Sequence, residues 1–446
     1  MDGVKMDPKT GAPVEAAKSD FLYAYGKELV FKFRMDIQDI SPRELDTLFV
    51  VSHLLQDFAR GDIPLGGEKT SGFGWVAGQL KQVDWLTADP EGAVSAALFS
   101  GASLAQQGAW HRLQLKDEAA AQFLQNAQPL NAVQGAGKKA PRASAGFISH
   151  RAFGGNSGML FVEAELLTPT SVRESGQPSF TTTLNGEPVN GWDFFSMSPP
   201  AAEYRPEERK YALPSKSLRG MLRHIYAIAS DSSVDSPNIN KLNPTDSLFG
   251  WVGRGQNQAI AGRVSINFAH FQQPELAWYK VPYPYGEWRF SGGQWTKSPG
   301  GSAEKTIVKN TWRIFPHAPI YPGAQQLASF EADSVQASYF RAISAGAKAS
   351  FAIRFWNLED EELQRLVWTV ALEDNLAHKI GHERYLGFGS LRLNILPHSY
   401  LINWSKRYAG GSEDNWQEPL DIGNWRVPKA ISNHAVLQRV LNAGQL

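Results

Sequence analysis

Gly66-Gly67-Glu68-Lys69-Thr70-Ser71-Gly72-Phe73-Gly74 and Gly381-His382-Glu383-Arg384-Tyr385-Leu386-Gly387-Phe388-Gly389 are two copies of one pattern, G-x-E-[KR]-x-x-G-F-G. Each runs into a short apolar stretch, Trp75-Val76 in the first and Ser390-Leu391 in the second. An internal repeat of this kind says that the chain holds two related units. A glycine-rich loop carrying one cation also lets backbone N–H groups approach a polyanion.

The flanks repeat as well. Residues 29–38 (LVFKFRMDIQ) alternate apolar and polar, which predicts a half-buried strand. Ser41-Pro42-Arg43-Glu44 is a capping-box signature, and LDTLFVVSHLL after it has helical spacing. The loop and a strand at 72–80 follow. In the second copy, 350–357 (SFAIRFWN) reads as a strand. Glu359-Asp360-Glu361-Glu362 places negative charge at a helix start, where the dipole favours it. The helix LQRLVWTVALEDN, the loop and a strand at 387–395 complete the order. Leu45 aligns with Leu363 at a spacing of 318, and Gly66 with Gly381 at 315, so only three residues separate the two registers.

What precedes each copy differs. Residues 157–349 hold further strands (GMLFVEAEL, GRVSINFAHF) and a helix (SLRGMLRHIYAIAS), whereas the first copy has only the opening 28 residues. The expected class is α+β. Residues 1–94 are expected to be the C-terminal half of a domain and 157–400 a complete one, with 401–446 as an extension. Residues 95–156, rich in Ala, Gly, Ser and Gln, read as a linker with one helical piece near 116–127. Residues 285–305 read as an exposed loop insertion. A half-domain leaves an unpaired edge and an uncovered apolar face, so another polypeptide is expected to complete it.

The bulk numbers narrow the function. The 446 residues are 42% hydrophobic and 20% charged, as in a globular protein with a real core. Forty-four basic residues balance forty-four acidic ones, which disfavours a freely acting nucleic-acid binder but leaves room for a local basic groove. There is no cysteine, so disulfides, thiolate zinc sites and cysteine nucleophiles are excluded together. Met1-Asp2-Gly3-Val4-Lys5-Met6-Asp7 has no apolar signal region, and no run reaches membrane-span length. A cytoplasmic protein without membrane partners is expected.

A third segment carries chemistry: Tyr211-Ala212-Leu213-Pro214-Ser215-Lys216-Ser217-Leu218-Arg219-Gly220-Met221-Leu222-Arg223. Ser215 or Ser217 caps an amphipathic helix, and Arg219 and Arg223 share one of its faces. Cations at a helix N-terminus are unfavourable for the bare helix, and an anion there would answer them. The glycines of Ser247-Leu248-Phe249-Gly250-Trp251-Val252-Gly253-Arg254 and Ala261-Gly262-Arg263-Val264 then bend a loop before a strand.

LPSKSLRGMLR resembles the I-P-G-S-S-L-[KR]-G-x-[LI]-R motif of CRISPR-associated RAMP superfamily proteins, SLFG…AGRV the loop and strand that follow it there, and the repeated pattern that family's C-terminal glycine-rich loop. The resemblance touches most of residues 1–80 and 157–396 and is nearest to the backbone subunits of type III CRISPR effectors, in the forms that fuse several such domains. It implies ferredoxin-like domains that grip guide RNA by its backbone. Carried over, Ser215, Lys216, Ser217, Arg219 and Arg223 would hold guide phosphates, with Gly66, Gly67, Lys69 and Gly72 of one loop, Gly381, His382, Arg384 and Gly387 of the other, and Arg254 and Arg263. Ser215-Lys216-Ser217 replaces the family's G-S-S, so a tight turn is lost and a cation gained. The implied partners are guide CRISPR RNA, target single-stranded RNA, other RAMP-domain polypeptides and an associated protease-like or signalling protein. Family members cut target RNA with a loop aspartate. Asp193 occupies that region here and reads more simply as an exposed loop carboxylate. No cofactor is expected on this chain itself; Mg2+ enters only as a requirement of target cleavage in the assembled complex.

Rival readings use other residues. A stand-alone RNA-processing endoribonuclease would use His224 or His317 as acid and base. A scaffold or carbohydrate-binding module would use the loop tryptophans Trp278, Trp288, Trp295 and Trp312. Trp356 and Trp368 read as core, and the His378/His382 pair as no metal site.

Overall fold

The caps written in the sequence start the helices. Ser41 N–H donates to Glu44 Oε2 at 2.8 Å, and the helix Leu45–Ala59 (α1) follows. Glu359 N–H donates to Glu362 Oε2 at 3.0 Å ahead of a second helix, Asp360–Val370. The computed structural model describes residues 2–6, 13–20, 29–38, 40–99, 102–125, 154–174, 178–198, 208–253, 258–282, 288–297, 312–408 and 413–446.

The second unit is built on four strands and two helices in chain order: Asn156–Leu166 (β1), Ser215–Ala229 (α2), Val264–Ile266 (β2), Lys348–Leu358 (β3), Asp360–Val370 (α3) and Ser390–Ile395 (β4). β1 pairs antiparallel with β3 on one side and β4 on the other, and β2 pairs antiparallel with β3. The spatial order is therefore β4-β1-β3-β2. The side chains of β1 alternate, and Leu160, Val162, Ala164 and Leu166 are all buried. They meet Leu218 and Leu222 of α2 and Leu363, Leu366 and Val367 of α3 in the main core. A second sheet, mostly antiparallel, stands beside it with the order 325–327, 276–282, 337–343, 187–192, 180–184.

The C-terminal extension is part of this unit. Tyr400–Ile402 pairs with β1, and Leu437 and Leu441 bury against Ile225 and Ile228 of α2 and Trp368 of α3. Within the insertion, Trp288–Ser291 and Gln294–Lys297 form a hairpin. Residues 283–287 and 298–311 lie outside the described residues, as does Arg254.

The first unit departs from expectation in two ways. Residues 29–38 and 75–80, read as strands, stand outside any ladder, and all ten residues of 29–38 are exposed. A strand persists only where its N–H and C=O groups meet a neighbour's. In the second unit β1 is that neighbour, and the first unit holds no counterpart to it among the described residues. The stretch 95–116, read as linker, also holds regular structure, while the helical piece expected near 116–127 is present as Asp117–Gln125. Gln82–Thr87, Ala105–Gln107 and Trp110–Lys116 form an antiparallel sheet with the helices Ala93–Phe99 and Asp117–Gln125 beside it.

The two units meet through buried charge. The Arg407 guanidinium, 2% exposed, reaches Asp57 at 2.5 Å and also Asp62, and Arg354 of β3 reaches Asp62 at 2.5 Å. Tyr408 donates its hydroxyl to Asp57 at 2.9 Å. Burial pushes the Asp62 carboxyl up, but Arg354 and Arg407 outweigh it and hold the group below its ordinary range. No described helix is long and apolar enough to cross a membrane.

Candidate nucleic-acid interface

The two glycine loops share one backbone, residue for residue, at a spacing of 315. Glu68 and Glu383 both take left-handed φ, 52° and 53°, and each opens a single 3-10 turn. Ser71 N–H donates to Glu68 O at 2.9 Å, as does Leu386 N–H to Glu383 O at 2.9 Å. Leu65 N–H closes the first loop on Gly74 O at 2.8 Å, and Ile380 N–H closes the second on Gly389 O at 2.8 Å. Gly74 and Gly389 have φ of 81° and 79°, and a Cβ on either would stand 2.0 or 1.9 Å from the carbonyl of Leu65 or Ile380. Only glycine fits there.

The surroundings of the loops differ. The first is gripped by the N-terminal turn of α2, which starts directly after Pro214; that proline, not Ser215 or Ser217, is the N-cap. Ser215, fully buried, donates its hydroxyl to Ser71 O. Arg219 donates to Thr70 O at 2.8 Å, to Val264 O at 3.0 Å and to Phe249 O. Burial and then the neighbouring Arg223 lower the Arg219 guanidinium to about 10. Ser265 of β2 donates to Lys69 O at 2.7 Å. Lys216 lies 3.4 Å from Glu68. Arg223 donates to Gly250 O at 3.1 Å and pairs with the buried Asp246. Arg263 is 1% exposed and bonded to Glu362 and, at 2.8 Å, to Asn357 O.

Ser215, Lys216, Arg219, Arg223 and Arg263, all expected to hold phosphate, therefore hold protein carbonyls and carboxylates. Arg219, Arg223 and Arg263 direct their donors inward, and Ser215 has no exposed surface. Lys69 is exposed, Ser217 and Lys216 are half-buried, and Gly66 and Gly67 are exposed at the loop's outer edge.

Around the second loop the cations gather. The Arg384 and Arg313 guanidiniums lie over the ring of Phe315, at 4.4 and 4.9 Å from its centroid. Burial, and then Arg313, lower the Arg384 pKa. Among the described residues Arg384 has no ion-pair partner. Lys379 donates to Phe388 O at 2.8 Å, and burial followed by Arg384 lowers its amine to about 7. His382 Nε2 lies 2.6 Å from Arg173 and 2.6 Å from Glu383. Gly381 and Gly387 abut the carbonyls of Ser171 and Pro319. Sequence reading missed Arg313, Phe315 and Lys379. The one signal available was the i, i+2 spacing of Arg313 and Phe315, which puts both on one side of an extended segment.

Asp193 is buried, not exposed. Its Oδ1 accepts from Phe194 N–H at 2.7 Å and lies 3.3 Å from Arg341, with Arg209 at 3.8 Å from Oδ2. A carboxylate faced by two guanidiniums does not fit Mg2+. Among the described residues no cluster of three or more His, Asp and Glu side chains is placed to hold a metal ion.

The histidines of the rival reading are interior groups. His317 bonds Ser390 Oγ and Ala377 O, both at 2.9 Å, and burial lowers it to about 3. Burial, with Arg384 adding to it, lowers His224 to about 4. The tryptophans mostly pack on neighbours: Trp278 on Phe180, and Trp288 and Trp295 on Tyr321. Trp368 is fully buried and Trp356 half-buried.

No protein-family model matches the chain, and a search of curated proteins gives no match either.

Proposed function

We propose that this chain is a guide-RNA-binding backbone component of a type III CRISPR effector, which grips the RNA backbone and positions target RNA for cleavage. The observation that carries the reading is the pair Arg384 and Arg313 over the ring of Phe315 at the second glycine loop, with Lys379 buried beside them. An exposed and a half-buried guanidinium on an aromatic face form the kind of platform on which single-stranded nucleic acid is held, by phosphate contacts and stacking. The strand order β4-β1-β3-β2, with both helices packed on that sheet, is that of a ferredoxin-like domain and supports the RAMP resemblance. The contacts of Arg219, Arg223 and Arg263 narrow the expected interface. Ser215 and Arg219 make the α2 motif a clamp between units, Arg223 and Arg263 are held within the second unit, and RNA contact falls to the second loop, with Lys69 as an outlying cation.

The test is the salt dependence of binding to a single-stranded guide-repeat RNA. The logarithm of affinity should fall linearly with the logarithm of salt concentration. The double variant Arg313→Ala, Arg384→Ala should reduce that slope by about two. An unchanged slope and affinity would remove the second loop from the RNA interface.

A further inference from the structure

Apolar side chains that the second unit keeps covered stand open in the first. Val50 and Leu54 of α1 are 51% and 49% exposed. At the spacing of 318 that pairs Leu45 with Leu363, their counterparts are Trp368 and Leu372, at 0% and 8%. In the second unit those two share a buried cluster with Ile225 and Ile228 of α2 and with Leu437 and Leu441 of the C-terminal extension. Val30, Phe31 and Phe33 are 76%, 73% and 63% exposed, whereas their counterpart strand, β3, is paired on both sides by β1 and β2. Residues 75–80 correspond to β4, which also pairs with β1. Among the described residues, two of the neighbours that the first unit lacks are thus those that β1 and α2 supply to the second.

We propose that a strand–helix segment of another polypeptide, built like β1 and α2, completes the first unit. Its strand lies between residues 29–38 and 75–80, and its helix covers Val50 and Leu54. The proposal is independent of what the glycine loops bind. A second copy of this chain cannot donate the segment, because its β1 is fixed between β3 and β4 and its α2 is covered by α3 and the C-terminal helix. Residues 126–153 (NAQPLNAVQGAGKKAPRASAGFISHRAF) carry no alternating strand followed by an amphipathic helix. The open face is also continuous with an existing interface, since Asp57 on the same helix is held by Arg407.

The test is backbone hydrogen exchange of the full chain, alone and with a synthetic peptide. The peptide joins the sequence of Asn156–Leu166 to that of Ser215–Ala229 through a Gly-Ser linker. In the chain alone, residues 29–38 and 75–80 should exchange fast while β3 and β4 exchange slowly. Excess peptide should slow exchange at 29–38 and 75–80 by about tenfold or more. The double variant Val50→Glu, Leu54→Glu should abolish that slowing and leave β3 and β4 unchanged. Protection already present in the chain alone, no slowing with peptide, slowing that survives the double variant, or a dimer that hides the face would each overturn the proposal.

Discussion

The two glycine loops have the same backbone and opposite surroundings. In the first, the carbonyl of Ser71 takes a hydroxyl from Ser215 at the start of α2. In the second, the equivalent carbonyl of Leu386 takes the main-chain N–H of Tyr321 at 3.0 Å, and the loop's arginine lies on Phe315. Glycines and the left-handed glutamate encode the shape of the loop. Its neighbours decide whether it serves as a joint or as a charged surface.

Substitutions at the shared glycines should separate the units most strongly. A valine at Gly389 cannot take its φ of 79° and would meet Ile380 O, beside the main core. Gly389→Val should cost more than about 4 kcal/mol and unfold the second unit, read as loss of the cooperative thermal transition. Gly74→Val meets an equivalent clash but should release only the first unit, visible as fast exchange over 45–80 with β3 and β4 still protected. Equal damage from both would show that the units fold as one.

Removing Arg407 comes next. Arg407→Ala leaves Asp57 and Asp62 without their shared cation and should cost about 3–5 kcal/mol at the junction. Acid should act the same way. The pKa of Asp62 is held below its unfolded value, so its contribution is present above that value and is lost as pH falls through the folded one. The junction should therefore loosen below about pH 4, read by protease cleavage between the units.

A smaller effect sharpens the charged loop. Lys379 gains its proton as pH falls through about 7, and a bound phosphate favours the charged form. RNA affinity should rise by about threefold or more from pH 8 to pH 6, and Lys379→Met should flatten that rise. The least effect belongs to Lys216, which is 25% exposed and faces a Glu68 that is 49% exposed. Lys216→Ala should change stability by less than about 1 kcal/mol, measured by denaturant titration.

Much of the second unit was legible in the sequence because its signals are local. The acidic helix start at Glu359, the strands read over β1 and β3, and the glycines of the second loop each depend on a few adjacent residues, as does the capping box at Ser41 in the first unit. Asp193 shows where such reading ends. Nothing near Gly191-Trp192 says that Arg341 arrives from a distant strand to bury it. Arg219 and Arg223 were read correctly as sharing a helix face, but what that face meets is set by Thr70, Val264 and Asp246, far off in the chain. Residues 29–38 have a strand's pattern and lie outside any ladder, since pairing belongs to two segments and no described segment lies beside them. Residues 95–116 failed for another reason: an Ala- and Gln-rich stretch was judged on composition, although Trp110–Lys116 needs only Gln82–Thr87 beside it to form a sheet.

The Pro319 carbonyl against Gly387 has a consequence for how long an assembly of such units can grow. At the first loop, the successor unit presents a helix start and the loop accepts it. At the second, the chain's own 317–321 segment already fills the equivalent seat, so a successor finds no place to land. Stacked repeats need an end with its own lid to stop further addition. Here that lid is a short stretch of the chain's own backbone, so of the two loops only the first is open to a following helix start.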